Sequence, residues 1–300
     1  AIHVLSVKVA RVIHCIFQNN SAVLGSVIYV LDIQLLVNIH NLYRDNNNKA
    51  TLSFSKVEIY RDIKNLYTHN VARNVGGCMS VYDVETAYFS SGFAIDNVAV
   101  LKGGCIHCEH LKTLYVTSYR LTNSSAKHGG GISLKAIDKT VISEGYFTHN
   151  VASFQGGALS IVSSMNVSMI KSLFLSNIAQ YEGGALHIFL SAELYAILLI
   201  QESSFIYNEA KKDGATIVLD GAKEMSLSHS QIEDSSSTKA LNIHTAFLLF
   251  HNVTIRSYDI GKYIIDSTSE AKPILRGLKF TCPFLTYLQE KVSGSCDKVE

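Results

Sequence analysis

Apolar and polar residues alternate over short stretches of this chain, and each stretch follows a pair of small residues. After Gly183-Gly184, for example, the alternation begins at once. Leu186 and Ile188 fall on one face of an extended segment, and His187 falls on the other. A period of two residues is typical of a β-strand with one buried face. We therefore predict short strands, each introduced by a tight turn.

These stretches recur with a period of about 27 residues. Each repeat carries an Asn, and in six of the eight repeats a Gly follows six residues later, usually with a second Gly after it. The Asn column is Asn20, Asn46, Asn70, Asn97, Asn123, Asn150, Asn177 and Asn208. The glycine pairs are Gly76-Gly77, Gly103-Gly104, Gly129-Gly130, Gly156-Gly157 and Gly183-Gly184, with Gly214-Ala215 as a weaker case. A fixed period of this length indicates a solenoid, whose repeats contact only their neighbours.

The recurring residues suit the turns and the core of such a solenoid. Gly adopts positive φ and allows two backbones to approach closely. Asn tolerates the left-handed region, and Asn side chains stacked on successive strands can bond to each other. An aromatic column three residues before Asn is predicted to fill the core: Phe17, Tyr43, Tyr67, Phe147, Phe174 and Phe205. Phe93 lies four residues before Asn97, which predicts one extra residue in that coil.

These features predict an all-β fold, a right-handed, single-stranded parallel β-helix of roughly ten coils of about 27 residues. Leucine-rich and helical repeats are excluded because their signatures are missing. The repeat decays after about residue 220, so we expect the solenoid to cover residues 1–265. Residues 266–300 are predicted to be a cap or the start of a cysteine-containing module. Residues 1–4 match residues 185–188, so the chain is expected to begin in mid-repeat, as part of a longer protein.

Charge and hydropathy argue against two kinds of partner, nucleic acid and the membrane interior. The chain has 26 basic and 25 acidic residues, without a basic run. This balance argues against nucleic acid as a partner. No apolar stretch approaches the roughly 20 residues of a membrane span, so we expect no direct membrane insertion.

The repeat resembles that of the polymorphic outer membrane protein (Pmp) family. The resemblance rests on Phe147-x-x-Asn150 with the segment 156–159, and on Phe174-x-x-Asn177 with the segment 183–186. It covers about residues 1–220, and similar repeats occur in large extracellular proteins of protists and marine invertebrates. The resemblance implies a surface or adhesin-like protein without a cofactor and with no catalytic residues.

A column of polar residues after the glycine pairs is the predicted binding surface: Ser80, His107, Ser133, Ser160 and His187. We expect a non-enzymatic extracellular or cell-surface segment that acts as an adhesion surface or a stalk. Its partners would be glycans or surface proteins. The alternative is a pectate-lyase-like enzyme acting on a polysaccharide, which requires clustered carboxylates. The acidic residues nearest the column are interpreted as isolated turn charges: Asp83, Glu85, Glu109 and Asp138.

Three pairs among the six cysteines are candidates for a disulfide or a metal site. Cys282 and Cys296 are predicted to form a disulfide. Cys78 and Cys105 share one column, and the coil spacing favours a buried stack of free thiols over a bond. Cys105 and Cys108 diverge on a strand, so no metal site is expected.

Four Asn-x-Ser/Thr sequons supply candidate glycosylation sites: Asn19, Asn123, Asn166 and Asn252. We predict glycans at Asn166 and Asn252, which lie outside the Asn column. Asn123 is counted in that column and is therefore expected to be shielded.

Overall fold

A computed structural model describes residues 2–21, 26–48, 50–190, 196–234, 240–257, 265–269 and 274–281. In these residues the chain forms strands and turns without a helix, and the strands build three sheets. Neighbouring strands of each sheet are parallel and come from successive coils. Tyr43 pairs with Tyr67, for example, and Phe147 pairs with Phe174. The predicted parallel β-helix is confirmed.

The first sheet contains fourteen strands, many of them long and bent in the middle. They are Ile2–Ile13, Ser26–Ile39, Ala50–Ile63, Met79–Ser90, Ile106–Thr117, Ile132–Ser143, Leu159–Val162, Asn166–Ile170, Leu186–Phe189, Ile197–Gln201, Ile217–Ser228, Leu241–His251, Ile265–Ser269 and Ile274–Arg276. The bend separates two faces of the solenoid, and between Leu159–Val162 and Asn166–Ile170 the strand is interrupted there.

The other two sheets are narrow. The second sheet has eleven strands: Ile16–Gln18, Leu42–Arg44, Leu66–Thr68, Phe93–Ile95, Arg120–Thr122, Tyr146–Thr148, Leu173–Leu175, Ser204–Ile206, Gln231–Asp234, Thr254–Ser257 and Lys279–Thr281. The third sheet has seven: Asn47–Asn48, Val71–Ala72, Val98–Ala99, Ser125–His128, Val151–Gln155, Ile178–Ala179 and Glu209–Ala210. Strands of the first two sheets thus continue past residue 265, the predicted end of the solenoid.

Residues in the left-handed region form the corners of each coil. In one coil these are Asp83, Ser91, Asp96 and Gly103, with φ between 51° and 60°. The first three corners are occupied mostly by residues other than glycine. The fourth is glycine in six consecutive coils, because a Cβ atom there would overlap the main chain three residues on, as Gly103 would overlap Ile106. The fourth corner is therefore the one where only glycine fits.

The asparagine column forms a ladder that ties three coils together at each rung. The backbone N–H and the side-chain Nδ2 of Asn70 both donate to Oδ1 of Asn97, each at 3.0 Å. The same Nδ2 donates to the carbonyl oxygen of Tyr43, at 2.9 Å. Asn150 and Asn177 repeat the pattern in later coils, and Asn208 accepts both bonds from Asn177. Buried amides satisfied in this way stabilise the stacking and set its register.

Asn123 does not belong to this ladder, and the predicted column was wrong by one residue there. The ladder position in that coil is Ser124, whose backbone N–H donates to Oδ1 of Asn150. Asn123 lies at the preceding corner, with φ 52°, and is exposed. Asn123 was assigned to the ladder because Asn is favoured both at a left-handed corner and at the ladder position.

We predict that Ser124→Asn stabilises the protein by about 1 kcal/mol, because it completes the ladder. The Ser124 hydroxyl now donates to the Thr122 carbonyl at 3.4 Å, and Asn97 Nδ2 donates to the Ile95 carbonyl instead of to a next rung. Urea unfolding of unglycosylated protein measures the change. Ser125→Asn, one residue along, is the matched control and should bring no gain. An equal effect of the two substitutions would contradict the ladder interpretation.

The aromatic column stacks in the core as predicted. Phe147, Phe174 and Phe205 have ring centroids 4.7–4.8 Å apart and nearly parallel planes. The predicted extra residue at Phe93 is wrong, because Ala94 occupies the column and pairs with Tyr67. Phe93 instead lies on the outer face and is 44% exposed.

A second ladder, which the sequence did not reveal, follows the corner before the second sheet. The backbone N–H of Gly145, Ser172 and Ser203 each donates to the Ser hydroxyl of the next coil, at 3.1 Å. Asn41 and Asn65 take the same position in the early coils. Serine is common elsewhere in the chain, so this column does not stand out as a sequence motif.

A buried polar network interrupts the apolar core in the early coils. The Asp62 carboxylate is completely buried. Its Oδ1 accepts hydrogen bonds of 2.7–2.9 Å from Asn38 Nδ2, Asn65 Nδ2, Tyr60 OH and Tyr67 OH. Burial raises the pKa of Asp62, and these hydrogen bonds oppose the rise. A buried acid can persist here because each of these donors is satisfied by it.

Candidate functional site

The five residues of the predicted binding column lie in register on five successive coils of the first sheet: Ser80, His107, Ser133, Ser160 and His187. Each follows a core residue such as Ile106, and the column lies outside the apolar core cluster. The alternation of apolar and polar residues therefore places the column correctly within the strands.

The column is nevertheless not an open surface, which corrects the prediction of a solvent-facing binding face. Its exposed fractions are 4% for Ser80, 1% for His107, 4% for Ser133 and 2% for Ser160. The His187 side chain is 13% exposed. Neighbouring side chains cover the imidazoles: the Tyr82 ring lies 5.7 Å from that of His107, and Glu182 approaches His187 to 4.0 Å. Alternation gives the direction of a side chain but not what packs over it.

His107 and Glu109 form the centre of one polar cluster near this column. His107 Nε2 lies 3.4 Å from Glu109 Oε2, and Lys135 Nζ lies 2.7 Å from Glu109 Oε1. Burial and the charge of Lys102 lower the pKa of His107 to about 4, although Glu109 opposes them. His107 is therefore neutral at physiological pH. The pairing with Lys135 and His107 outweighs partial burial and lowers the pKa of Glu109, which is ionised.

The cluster extends outwards through His110, for which the sequence revealed no partner. His110 Nδ1 lies 3.5 Å from Asp83 Oδ1, and its Nε2 lies 3.8 Å from Glu109 Oε1. His110 and Asp83 are both more than half exposed as side chains. Asp83 and His110 occupy the same left-handed corner in successive coils, which is why they meet. Aligning the corner residues of successive repeats would have found this pair.

The remaining acidic residues near the column do not join this cluster. Glu85 is paired with Lys112 on the next coil, and both side chains are at least half exposed. No ion pair of Asp138 with another described residue is observed. Two of the four carboxylates, those of Asp83 and Glu109, therefore lie together around His110. The Glu85 carboxylate is paired with Lys112 instead.

The arrangement around Glu109 allows limited acid–base chemistry. A general acid or base must reach the proton that it transfers. His107 is buried, and its Nδ1 makes no hydrogen bond of ordinary geometry to a described residue. Glu109 is 17% exposed and already paired. His110 and Asp83 are accessible, so any proton transfer to a bound ligand would involve this outer pair.

A second polar cluster surrounds His187, on the side of the glycine turns. Lys212 Nζ donates to the Tyr181 hydroxyl, and it lies 4.0 Å from the centroid of that ring and 3.7 Å from Glu182. Tyr181 stacks on Phe154 at 4.7 Å. Burial lowers the pKa of His187, and the charge of Glu182 opposes the shift. These partly exposed rings flank the end of the polar column.

Cys78 and Cys105 are joined by a disulfide, which corrects the expectation of free thiols. Their Cα atoms are 4.6 Å apart, a separation that lies within the range of disulfides although it is set by the coil spacing. Cys108 is buried as a free thiol, and burial raises its pKa. Cys15 is also free and half-buried. Cys282 and Cys296 lie outside the described residues.

All four sequon asparagines have exposed positions, and Asn19 lies at a left-handed corner with φ 54°. Asn166 begins a strand of the first sheet, and Asn252 lies at a corner with φ 52°. Asn123 is also exposed, contrary to expectation. Glycosylation at Asn166 and Asn252 stays a prediction, and Asn19 and Asn123 join the accessible candidates.

In the described ranges no three His, Cys, Asp or Glu side chains are grouped so that they could hold a metal ion. Nor does that part of the chain contain a helix with the length and hydropathy needed to cross a membrane. No protein-family model matches the chain, and neither a curated protein nor a solved structure shows significant similarity to it. The fold and the polar clusters therefore carry the functional argument.

Proposed function

We propose that this chain is a non-enzymatic segment of an extracellular or cell-surface protein and serves as a stalk with an adhesive side surface. The observation that carries the proposal is the pair of long ladder runs inside the solenoid. Asparagine and serine side chains connect consecutive coils from Asn20 to Asn97, and again from Ser124 to Ser230. Such stacking produces a rod whose faces repeat at about 4.8 Å and can contact a ligand at many points.

Three further features support this assignment. A disulfide is typical of oxidising compartments outside the cytosol. The exposed sequons at Asn123, Asn166 and Asn252 suit a glycosylated surface. The repeat resembles that of Pmp-type proteins, and we propose membership of that group of surface and adhesin-like proteins on the repeat alone.

Glycans and surface proteins are the proposed partners. One experiment tests both the binding of glycans and the absence of catalysis. The purified chain is incubated with acidic and neutral polysaccharides, and both retention and chain cleavage are measured. Retention with intact polysaccharide is the expected result. Cleavage by the purified protein would overturn the non-enzymatic assignment. A stalk that binds only proteins would show neither effect.

An enzyme acting on a polysaccharide is the second candidate, and one observation favours it. Asp83, His110, Glu109 and Lys135 lie in continuous polar contact at one bend of the first sheet. If cleavage occurs, Asp83→Asn and His110→Gln should each abolish it while leaving the fold intact. Glu85→Gln, whose carboxylate is paired with Lys112 instead, is the matched control. Cleavage that survives the first two substitutions would exclude this cluster as an active site.

A further inference from the structure

A pair of stacked tyrosines on the outer face of the first sheet is bracketed by two cations. Tyr88 and Tyr115 lie on successive coils, with ring centroids 5.1 Å apart and planes 8° from parallel. The Arg61 guanidinium lies 5.7 Å from the Tyr88 centroid, on the preceding coil. Lys139 Nζ lies 6.0 Å from the Tyr115 centroid, on the following coil. The array therefore runs along the solenoid axis over about 14 Å, three coil steps.

An open cavity of about 310 Å³ lies against this array. Its lining contains a cation and no carboxylate: Arg61, Ile63, Tyr88, Phe89, Ser90, Tyr115 and Thr117. The volume is at the lower end for small-ligand sites and suits one or two sugar units. The lining thus offers hydroxyl groups, aromatic rings and a positive charge to one ligand.

Both cations are available for an anionic ligand. Arg61 and Lys139 are exposed, and neither forms an ion pair with a described residue. Four other lysines are paired with a carboxylate, as Lys112 is with Glu85 and Lys135 is with Glu109. A cation held over an aromatic ring is pre-positioned, so less side-chain freedom is lost when it binds.

We propose that Arg61, Tyr88, Tyr115 and Lys139 form a binding site for a negatively charged glycan that lies along the solenoid axis. The inference rests on the proposed function, since it names the ligand class of the adhesive side surface. The cations bind the carboxylate or sulfate groups of the glycan. The hydroxyl groups of Ser90, Thr117 and the tyrosines bind its sugar hydroxyls. Because the contacts repeat with the coils, an extended chain fits better than a single sugar.

Binding to immobilised heparin, polygalacturonate and dextran tests this site. Heparin carries sulfates, polygalacturonate carries carboxylates, and dextran is neutral. We expect retention on one or both anionic glycans, weakened by added salt, and none on dextran. Retention on heparin alone would identify sulfate as the recognised group, and retention on polygalacturonate alone would identify carboxylate. The combined substitution Arg61→Gln and Lys139→Gln should lower the affinity by at least about tenfold.

The matched control is Arg120→Gln, on the second sheet. Arg120 is exposed and lies between the Phe93 and Tyr146 rings, at 5.4 and 5.0 Å, so the same chemistry is removed from another face. This variant should bind like the unsubstituted protein. Equal binding of the Arg61/Lys139 variant would overturn the site and leave the adhesive function standing. Absence of binding to both anionic glycans, or equal binding to dextran, would overturn the ligand class. Cleavage of the glycan would instead contradict the proposed function.

Discussion

Gly157→Ala is expected to destabilise the solenoid by roughly 3–5 kcal/mol, although it adds a single methyl group. A Cβ atom at this position would overlap the carbonyl oxygen of Gly184 on the next coil, and it would lie 2.7 Å from the backbone nitrogen of Ile178. Both obstacles are main-chain atoms, and the Ile178 nitrogen is held by its hydrogen bond to the Asn150 carbonyl oxygen. The two coils can accept the methyl group only by moving apart. Urea unfolding followed by circular dichroism measures the loss.

Gly131→Ala is the matched control for this prediction. Gly131 takes the column position that Ala158 and Ala185 fill in the next coils, and it lacks positive φ. Its nearest obstacle to a Cβ atom is the Ala158 carbonyl oxygen at 3.0 Å, which requires only a small shift. We expect a change of less than about 1 kcal/mol, since the reduced freedom of the unfolded chain offsets the tight contact. Equal losses for the two substitutions would contradict the close-approach argument.

Asp62→Asn is expected to make the protein less sensitive to rising pH. Burial raises the pKa of Asp62 above the value of 3.8 that we take for the unfolded chain. The group therefore favours the folded state fully below pH 3.8, and this contribution is lost as the pH rises through the raised pKa. The amide of the variant would keep an oxygen for the same donors and cannot ionise. The difference in unfolding free energy between the two proteins should shift towards the variant as pH rises from about 4.

Other titrating groups cancel in this comparison. The groups that face Asp62 are tyrosines whose pKa values burial raises further, so they stay neutral: Tyr43, Tyr60, Tyr67 and Tyr119. A difference that is independent of pH would show that Asp62 does not ionise differently in the two states. Asp62→Leu separates charge from hydrogen bonding. It leaves the buried hydroxyls and amides without their acceptor and should cost at least about 4 kcal/mol at any pH.

The architecture could be predicted because equivalent positions in successive coils have the same structural requirements. Six consecutive coils have a glycine at the fourth corner, and most coils have an amide at the ladder position, so these residues recur with the period of the coil. Errors arose where two positions accept the same residue type, as with Asn123, or where an outer aromatic resembled an inner one, as with Phe93.

The polar column was predicted less well than the fold. Its five residues share a register, as alternation implies, but His107 is almost completely buried beneath Tyr82 and next to Glu109. The burial of a column residue depends on side chains of the neighbouring coils, which are about 27 residues away in the chain. The Asp83–His110 pair shows the same dependence, because each residue alone looks like a solvated turn charge.

The sequence by itself determined the coil: its period, its glycine corners, its asparagine rungs and the direction of each strand residue. The sequence also indicated which aromatic residue accompanies a polar neighbour in the core, although this pattern was not recognised. The aromatic column has Tyr43 and Tyr67 in the coils that carry Asn38 and Asp62, and Phe in later coils where the matching position is apolar. The tertiary structure decided what depends on distance between coils. Stacking at about 4.8 Å brings Cys78 and Cys105 into bonding range, closes the polar column and places Arg61 and Lys139 at the two ends of one array.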